Sequence, residues 1–205
     1  MASLRAAQKE MTRRLLLDAG LELFVAKGYA ATTIDDIASA AGTTRMTFYS
    51  YFPSKVDLMK ALITERLNAL LGRVPSTEHG STERDLVAVV ADGSPARIRA
   101  WFETTSRSWD AIRPYTTTAN EAAASDSEIK ALVDEWYDEA ISDVEDGLTQ
   151  ARRFAAGERR LRGVLAITQL DHVARNWTEG HWGSDRAQVL QVLTDSWVGL
   201  LGEPR

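Results

Sequence analysis

The 205-residue chain has no cysteine. Disulfides and thiolate chemistry are excluded, and a reducing compartment is compatible with that absence. Histidine is nearly as scarce: His79, His172 and His181 are the full set. No two of them stand at metal-ligand spacing, and the sequence brings no Ser, His and acid together. No metal, cofactor or catalytic residue is expected, and a helical enzyme is the least favoured reading. No apolar run approaches the roughly 20 residues of a membrane span, and the amino terminus has no signal-peptide pattern. The expectation is a cytoplasmic protein without a membrane partner. No alternating strand pattern persists either, so the predicted fold class is all-α.

Excess charge of one sign is lacking where it would matter. The net charge is −5, but residues 1–55 carry seven Lys or Arg against five Asp or Glu, and residues 56–205 carry 17 against 24. The acidity belongs to the second part of the chain. Arg5, Lys9, Arg13, Arg14, Lys27, Arg45 and Lys55 form a modest basic set, so attraction to phosphate would depend on placement and on two copies acting together.

What is present is helical periodicity with short, well-marked turns. Residues 14–27 place Leu16, Gly20, Leu23 and Phe24 on one face, closed by Gly28. Thr33 is suited to cap a helix whose inward positions are Ile34, Ile37, Ala38 and Ala41, and Gly42 to end it. Thr43 or Thr44 caps the next helix, in which Phe48 and Phe52 face inward on a four-residue step. Arg45, Thr47, Tyr49 and Tyr51 lie elsewhere around its axis. Ser54 caps a helix over 55–71, and the polar stretch 75–80 marks a boundary. The predicted organisation is a helix-turn-helix domain over 1–55, a connecting helix over 55–71 and a second domain over 76–205.

The linked segments Leu21 to Tyr29, Thr-Thr-Ile-Asp-Asp-Ile-Ala, Thr-Phe-Tyr-Ser-Tyr-Phe and Ser-Lys-Val-Asp-Leu occur in register. From about Thr12 to Leu62 the chain resembles the DNA-binding domain of the TetR family of bacterial transcriptional regulators. That family often has His where this chain has Tyr51. The resemblance implies a dimer that sets two recognition helices in successive major grooves of a pseudo-palindromic, double-stranded operator. Arg45 and Thr47 are the candidates for base edges, and Met46 for apolar ones. Ser50 suits either base or phosphate, while Thr33, Thr43, Thr44, Tyr49, Tyr51 and Lys55 suit phosphate oxygens.

Further helices are predicted over 95–113, 127–154, 158–178 and 185–201, with breaks at Pro114, Gly157, Gly180 and Gly183. A short helix is expected over 116–124, and 83–91 is ambiguous. All six tryptophans follow residue 100. Ile98, Trp101, Phe102, Thr105, Trp109 and Ile112 share one face, and Ile129, Val133, Trp136, Tyr137, Ala140 and Val144 another. Such stripes read equally as plain core or as cavity wall. The resemblance implies a small apolar effector held here. Residues 121–129 and 192–201 also resemble the ethionamide-resistance regulator subgroup, which has a narrow apolar tunnel. The implied ligand set is Trp101, Phe102, Trp109, Trp136, Tyr137 and Trp197, with Gln169 and His172 as polar contacts.

The last two helices carry apolar residues on more than one face. Leu161, Leu165, Thr168, Leu193 and Leu200 are the expected contacts with a twin helix pair in a homodimer, and a hairpin buried within a monomer is the alternative. The favoured function is a ligand-responsive repressor. An effector-independent activator or architectural DNA-binding protein is the rival.

Overall fold

The computed structural model describes residues 2–70, 81–177 and 185–202, and every regular element among them is helical. The boundary expected at 75–80, the breaks at Gly180 and Gly183, and His79 and His181 lie outside the described residues. Two compact units emerge. One comprises Met1–Leu67 with Pro114–Val133, the other Asn68–Arg113 with Asp134–Arg205.

In the first unit, α1 (Ala2–Lys27) starts well before the periodic stretch seen in the sequence and buries Leu16, Leu17, Ala19 and Phe24. Helix α2 (Ile34–Ala40) begins at a capping box. The Thr33 hydroxyl accepts the Asp36 backbone N–H at 3.1 Å, and the Asp36 carboxylate accepts the Thr33 backbone N–H at 2.9 Å. Its far end is a Schellman turn. Gly42 takes φ +66°, its N–H bonds to Ser39 and that of Thr43 to Ala38, so the helix stops where a residue free of a Cβ can turn left-handed. Thr44 then caps α3 (Arg45–Tyr49) by accepting the Thr47 backbone N–H at 3.2 Å. Ser54 caps α4 (Lys55–Ala61), which runs on through a π-helical stretch, Leu62–Leu67, into α5 (Asn68–Leu70).

The second unit is built from α6 (Ser81–Asp92), α7 (Pro95–Thr105), parts of α8 (Trp109–Ala123) and α9 (Ser127–Gln150), α10 (Ala156–Arg175) and α11 (Arg186–Leu201). The ambiguous stretch 83–91 is therefore helical. The break expected at Pro114 occurs instead at a 3-10 turn, Ser106–Ser108, and Pro114 sits inside α8. A proline there forfeits one backbone bond, to Asp110, while the buried Ile112 and Thr116 on either side hold the helix against its surroundings. Close approach of α9 to α6 depends on Gly147, where a Cβ would stand 2.6 Å from the Val90 Cβ. The core gathers Phe102, Trp109, Trp177 and Trp197, with Trp109 and Trp177 edge to face at 4.8 Å and Phe102 and Trp197 likewise at 4.8 Å.

Helix α9 ends at Gln150 rather than running to 154, because the next turn is spent on a clasp. Arg152 and Phe154 adopt φ of 54° and 57°. Between them the Arg153 guanidinium donates to the carbonyls of Val90 (2.8 Å), Ala91 (3.1 Å), Asp92 (2.9 Å) and Leu201 (3.2 Å). These are carbonyls at the ends of α6 and α11 that no further helical turn would satisfy. Two left-handed residues cost roughly 1–2 kcal/mol each, and charge-assisted hydrogen bonds return about 1.5–3 kcal/mol each. The clasp outweighs its strain.

The capping box has a pH signature. Lys27, whose ammonium lies 2.6 Å from Asp36, and the side chain and backbone of Thr33 hold the Asp36 carboxyl well below the usual carboxylate value. The folded chain thus binds that proton less readily than the unfolded chain. The stabilisation is present above about pH 4 and is lost as pH falls through and below that value. Asp36→Asn is expected to melt below the unmodified protein at pH 7, with the gap narrowing steadily as pH falls below about 4. Thermal unfolding followed by circular dichroism from neutral into acid checks it, and a gap that does not narrow in acid would refute the assignment.

Candidate nucleic-acid interface

Phe48 is fully buried and Phe52 nearly so, with ring centroids 5.8 Å apart. With those two inward, α3 must turn its remaining residues outward. Met46 is 80% exposed, and Arg45, Tyr49 and Ser50 are exposed as well. Thr43, Thr47 and Tyr51 are half-buried, and Thr33 and Thr44 are exposed. The ten residues expected at DNA thus form one continuous outward-facing segment plus the start of α2, apart from Lys55.

Several of the expected donors already have partners within the first unit, the head of the molecule. The Thr33 hydroxyl donates to Asp36 at 2.6 Å, the Thr44 and Thr47 hydroxyls are 3.0 Å apart, and Ser50 donates to the Met46 carbonyl at 3.1 Å. The Arg45 guanidinium donates to Asp35 at 2.9 Å and to the Tyr49 hydroxyl at 3.2 Å, and lies 5.6 Å from the Tyr49 ring centroid. Hydroxyls retain a second lone pair and a guanidinium retains further N–H groups, so these contacts orient the groups without exhausting them.

Lys55, expected as a phosphate contact, is held from within the first unit. Its ammonium is half-buried over the Tyr29 ring, 4.2 Å from the centroid, and donates to the carbonyls of Tyr29 at 2.7 Å and Thr32 at 2.9 Å. Burial pulls its pKa down, opposed by Asp126. The same burial, with Asp126 and Glu128 nearby, pushes the Tyr29 hydroxyl up to about 12. Lys55 therefore closes the loop between α1 and α2 from beneath. Sequence reasoning also missed the acidic partners, Asp35 and Asp36. A legible signal existed for Asp36, because Thr-x-x-Asp ahead of an apolar helix is a variant of the capping-box spacing.

In the second unit the expected ligand residues fall into separate environments. Phe102, Trp109 and Trp197 are buried, and Trp101, half-buried, stacks on Trp197 at 5.6 Å. The Trp197 indole N–H is buried with no acceptor among the described residues. Trp136 and Tyr137 are half-buried and edge to face at 5.1 Å, and the Tyr137 hydroxyl donates to Asp171 at 2.8 Å. Gln169 and His172 stand elsewhere, on a surface groove of about 550 Å³ between α10 and α11 that Thr168, Val192, Leu193 and Ser196 also line. Ser196 donates to Gln169 there at 3.0 Å. The residues expected at a dimer contact divide too. Leu161, Leu165 and Thr168 are exposed, Leu193 is buried at the groove floor, and Leu200 packs half-buried on the core. Val164 and Val192 are exposed and extend the same apolar surface. No described helix is long and apolar enough to cross a membrane.

Residues 16–62 match the family model for bacterial regulatory proteins of the tetR family. The chain is 39% identical over 90 residues to the HTH-type transcriptional regulator SrpR of Pseudomonas putida, covering 44% of this chain and 41% of that protein. It spans between 41% and 66% of the length of the first curated relatives it matches. Among solved structures, FadR from Bacillus halodurans, a fatty acid degradation regulator, aligns with TM-score 0.64 at 18% identity over 94% of this chain and 97% of its own. NalD, the secondary repressor of the MexAB-OprM multidrug efflux pump in Pseudomonas aeruginosa, aligns with TM-score 0.64 at 19% identity over 95% and 98%. At those identities the likeness is one of fold. Residues 16–62 thus carry the helix-turn-helix of the bacterial regulatory proteins of the tetR family, and the all-helical architecture along the chain is similar to that of solved regulators.

Proposed function

We propose that the protein is a cytoplasmic repressor that binds a pseudo-palindromic operator as a homodimer and is released by a small lipophilic effector. The observation that carries the DNA reading is the outward set of α3. Burial of Phe48 leaves Arg45, Met46, Thr47 and Tyr49 available to a major groove. Arg45 is assigned to a guanine edge and Thr47 to a thymine methyl. Thr33, Thr43, Thr44, Tyr49, Ser50 and Tyr51 are assigned to flanking phosphates, and Lys55 to the head's own scaffold. Two such heads are needed. The apolar surface of Leu161, Val164, Leu165 and Val192 supports a twin helix pair as its cover, since an exposed patch of this kind marks an interaction site.

The effector reading rests on the Trp197 indole, a fully buried donor without an acceptor among the described residues. Buried donors are almost always satisfied, and an oxygen on an otherwise apolar molecule would satisfy this one. That NalD is described as a repressor and FadR as a regulator of fatty acid degradation supports both the direction of control and a lipophilic effector. The rival, a DNA-binding protein with no effector, draws support from the tight ring contacts of Phe102, Trp109, Trp177 and Trp197, which are those of a filled core.

Three measurements test the reading. An operator is first selected from a random duplex pool. Arg45→Ala is expected to weaken it by about 1–3 kcal/mol and to abolish preference at one base pair per half-site; unchanged base preference would remove Arg45 from the readout. Leu165→Asp, a change at a position exposed in the single chain, is expected to keep the helical signal but sediment as a monomer. A wild-type chain that is itself monomeric at micromolar concentration would end the dimer reading. Lipophilic compounds with an acceptor oxygen are expected to quench Trp emission and to lower operator affinity, and by reciprocity to bind the DNA complex more weakly than the free protein. If none alters DNA affinity, the effector-free reading replaces this one.

A further inference from the structure

The recognition arginine is not free to seek any anion. One N–H of Arg45 is held by the Asp35 carboxylate, projecting from the first turn of α2, at 2.9 Å. A second is held by the Tyr49 hydroxyl, one turn along its own helix, at 3.2 Å, with the Tyr49 ring beneath. Both members of the ion pair are well exposed, with side-chain accessibilities of 58% and 62%. A surface pair of this kind adds little to folding stability, so its consequence has to be sought in what Arg45 does next.

From this bracket we infer that Asp35 is a specificity-determining positioning residue, one that discourages Arg45 from pairing with phosphate and leaves it available to a base edge. The inference rests on the proposed contact of Arg45 with DNA. The physical argument is an exchange. To grip a backbone phosphate at an arbitrary site, the guanidinium must give up one anion for another, which gains little, and the abandoned carboxylate is left beside the polyanionic duplex. Guanine O6 and N7 carry no net charge and are reached by N–H groups that the bracket leaves unused, so Asp35 can stay in place while the base is read. A carboxylate here therefore penalises non-specific binding, which is nearly all phosphate contact, more than it penalises the operator complex. Asp36, next in sequence, is excluded from this role because it is committed to Lys27 and Thr33.

The test is a double-mutant cycle on the full-length protein, using the selected operator and a scrambled duplex of the same length. Asp35→Asn keeps the side-chain shape and removes the charge. It is expected to raise affinity for the scrambled duplex about three- to tenfold, to raise operator affinity less, and to steepen the scrambled-duplex salt dependence by roughly the 0.9 of one further phosphate contact. The ratio of operator to scrambled affinity then falls. In the Arg45→Ala background the same substitution is expected to leave that ratio unchanged. If Asp35→Asn shifts both duplexes equally, or shifts the ratio equally with Arg45 absent, the carboxylate acts only as general charge and the inference is overturned. If Arg45→Ala alone leaves base preference intact, it is the DNA reading of Arg45 that fails. Melting temperatures of all four proteins separate these outcomes from loss of fold.

Discussion

The outward surface of the head is oriented by the burial of one side chain, Phe48. Helix α3 is five residues long, far below the dozen or so at which an isolated helix becomes even marginal in water. Its single cap and few backbone bonds would not hold it. Burying a phenylalanine is worth about 1.5–3 kcal/mol, and Phe48 does so within a head whose buried residues also include Phe24, Ile37, Ala38, Phe52 and Leu58. Anchoring the helix at that one point fixes its rotation about its axis, which decides that Arg45, Met46 and Tyr49 face solvent. The Schellman turn at Gly42 and the cap at Thr44 fix its translation. The site is thus made by a core residue that does not belong to it.

The second constraint is electrostatic economy. The head has few cations, and most are engaged locally: Arg13 with Glu65 at 2.6 Å, Lys27 with Asp36 at 2.6 Å, Arg45 with Asp35 at 2.9 Å, and Lys55 with two carbonyls. Arg5 and Lys9 have no ion pair among the described residues. Little is left for a diffuse attraction to nucleic acid, and the acidic second unit adds none. Under the proposed reading, such a head relies on placed contacts rather than on bulk charge, so its discrimination between sites should be less easily swamped by sequence-independent binding.

Much of this was legible in the sequence wherever local rules decide structure. Thr33, Gly42, the Thr43–Thr44 pair and Ser54 announced helix boundaries because caps and left-handed turns are chosen by the residue at that position. Ile37, Phe48 and Phe52 announced the head core by spacing. Where burial depends on distant partners, the sequence was silent or misleading. Lys55 looked like a surface cation because nothing in its neighbours tells of Tyr29 and Thr32, more than twenty positions earlier. Pro114 looked like a break because local propensity disfavours it, and flanking burial overrode that propensity. The aromatic stripes of α7 and α9 had the right period, but a period cannot tell a wall from a filling. Packing separates Phe102, Trp109 and Trp197, which are buried, from Trp136 and Tyr137, which are half-buried.

The shortness of α3 also bears on why the last two helices matter. One base-reading pair is worth about 1–3 kcal/mol of discrimination, and a regulator typically needs roughly 4–10 kcal/mol between its site and random DNA. Under the proposed reading, a head with one arginine and one threonine aimed at base edges reaches at most the lower part of that range by itself. Two heads on one particle double the readout and, because the second binds intramolecularly, gain affinity without new contacts. The apolar residues on α10 and α11 have no such justification in a monomer. Leu161, Leu165 and Val192 are left roughly half exposed in their own chain, and that exposure is a cost that a covering surface removes. Under the proposed reading, a recognition helix with too few base contacts to discriminate alone and an apolar face left open are two consequences of one design: a reader that is complete only as a pair.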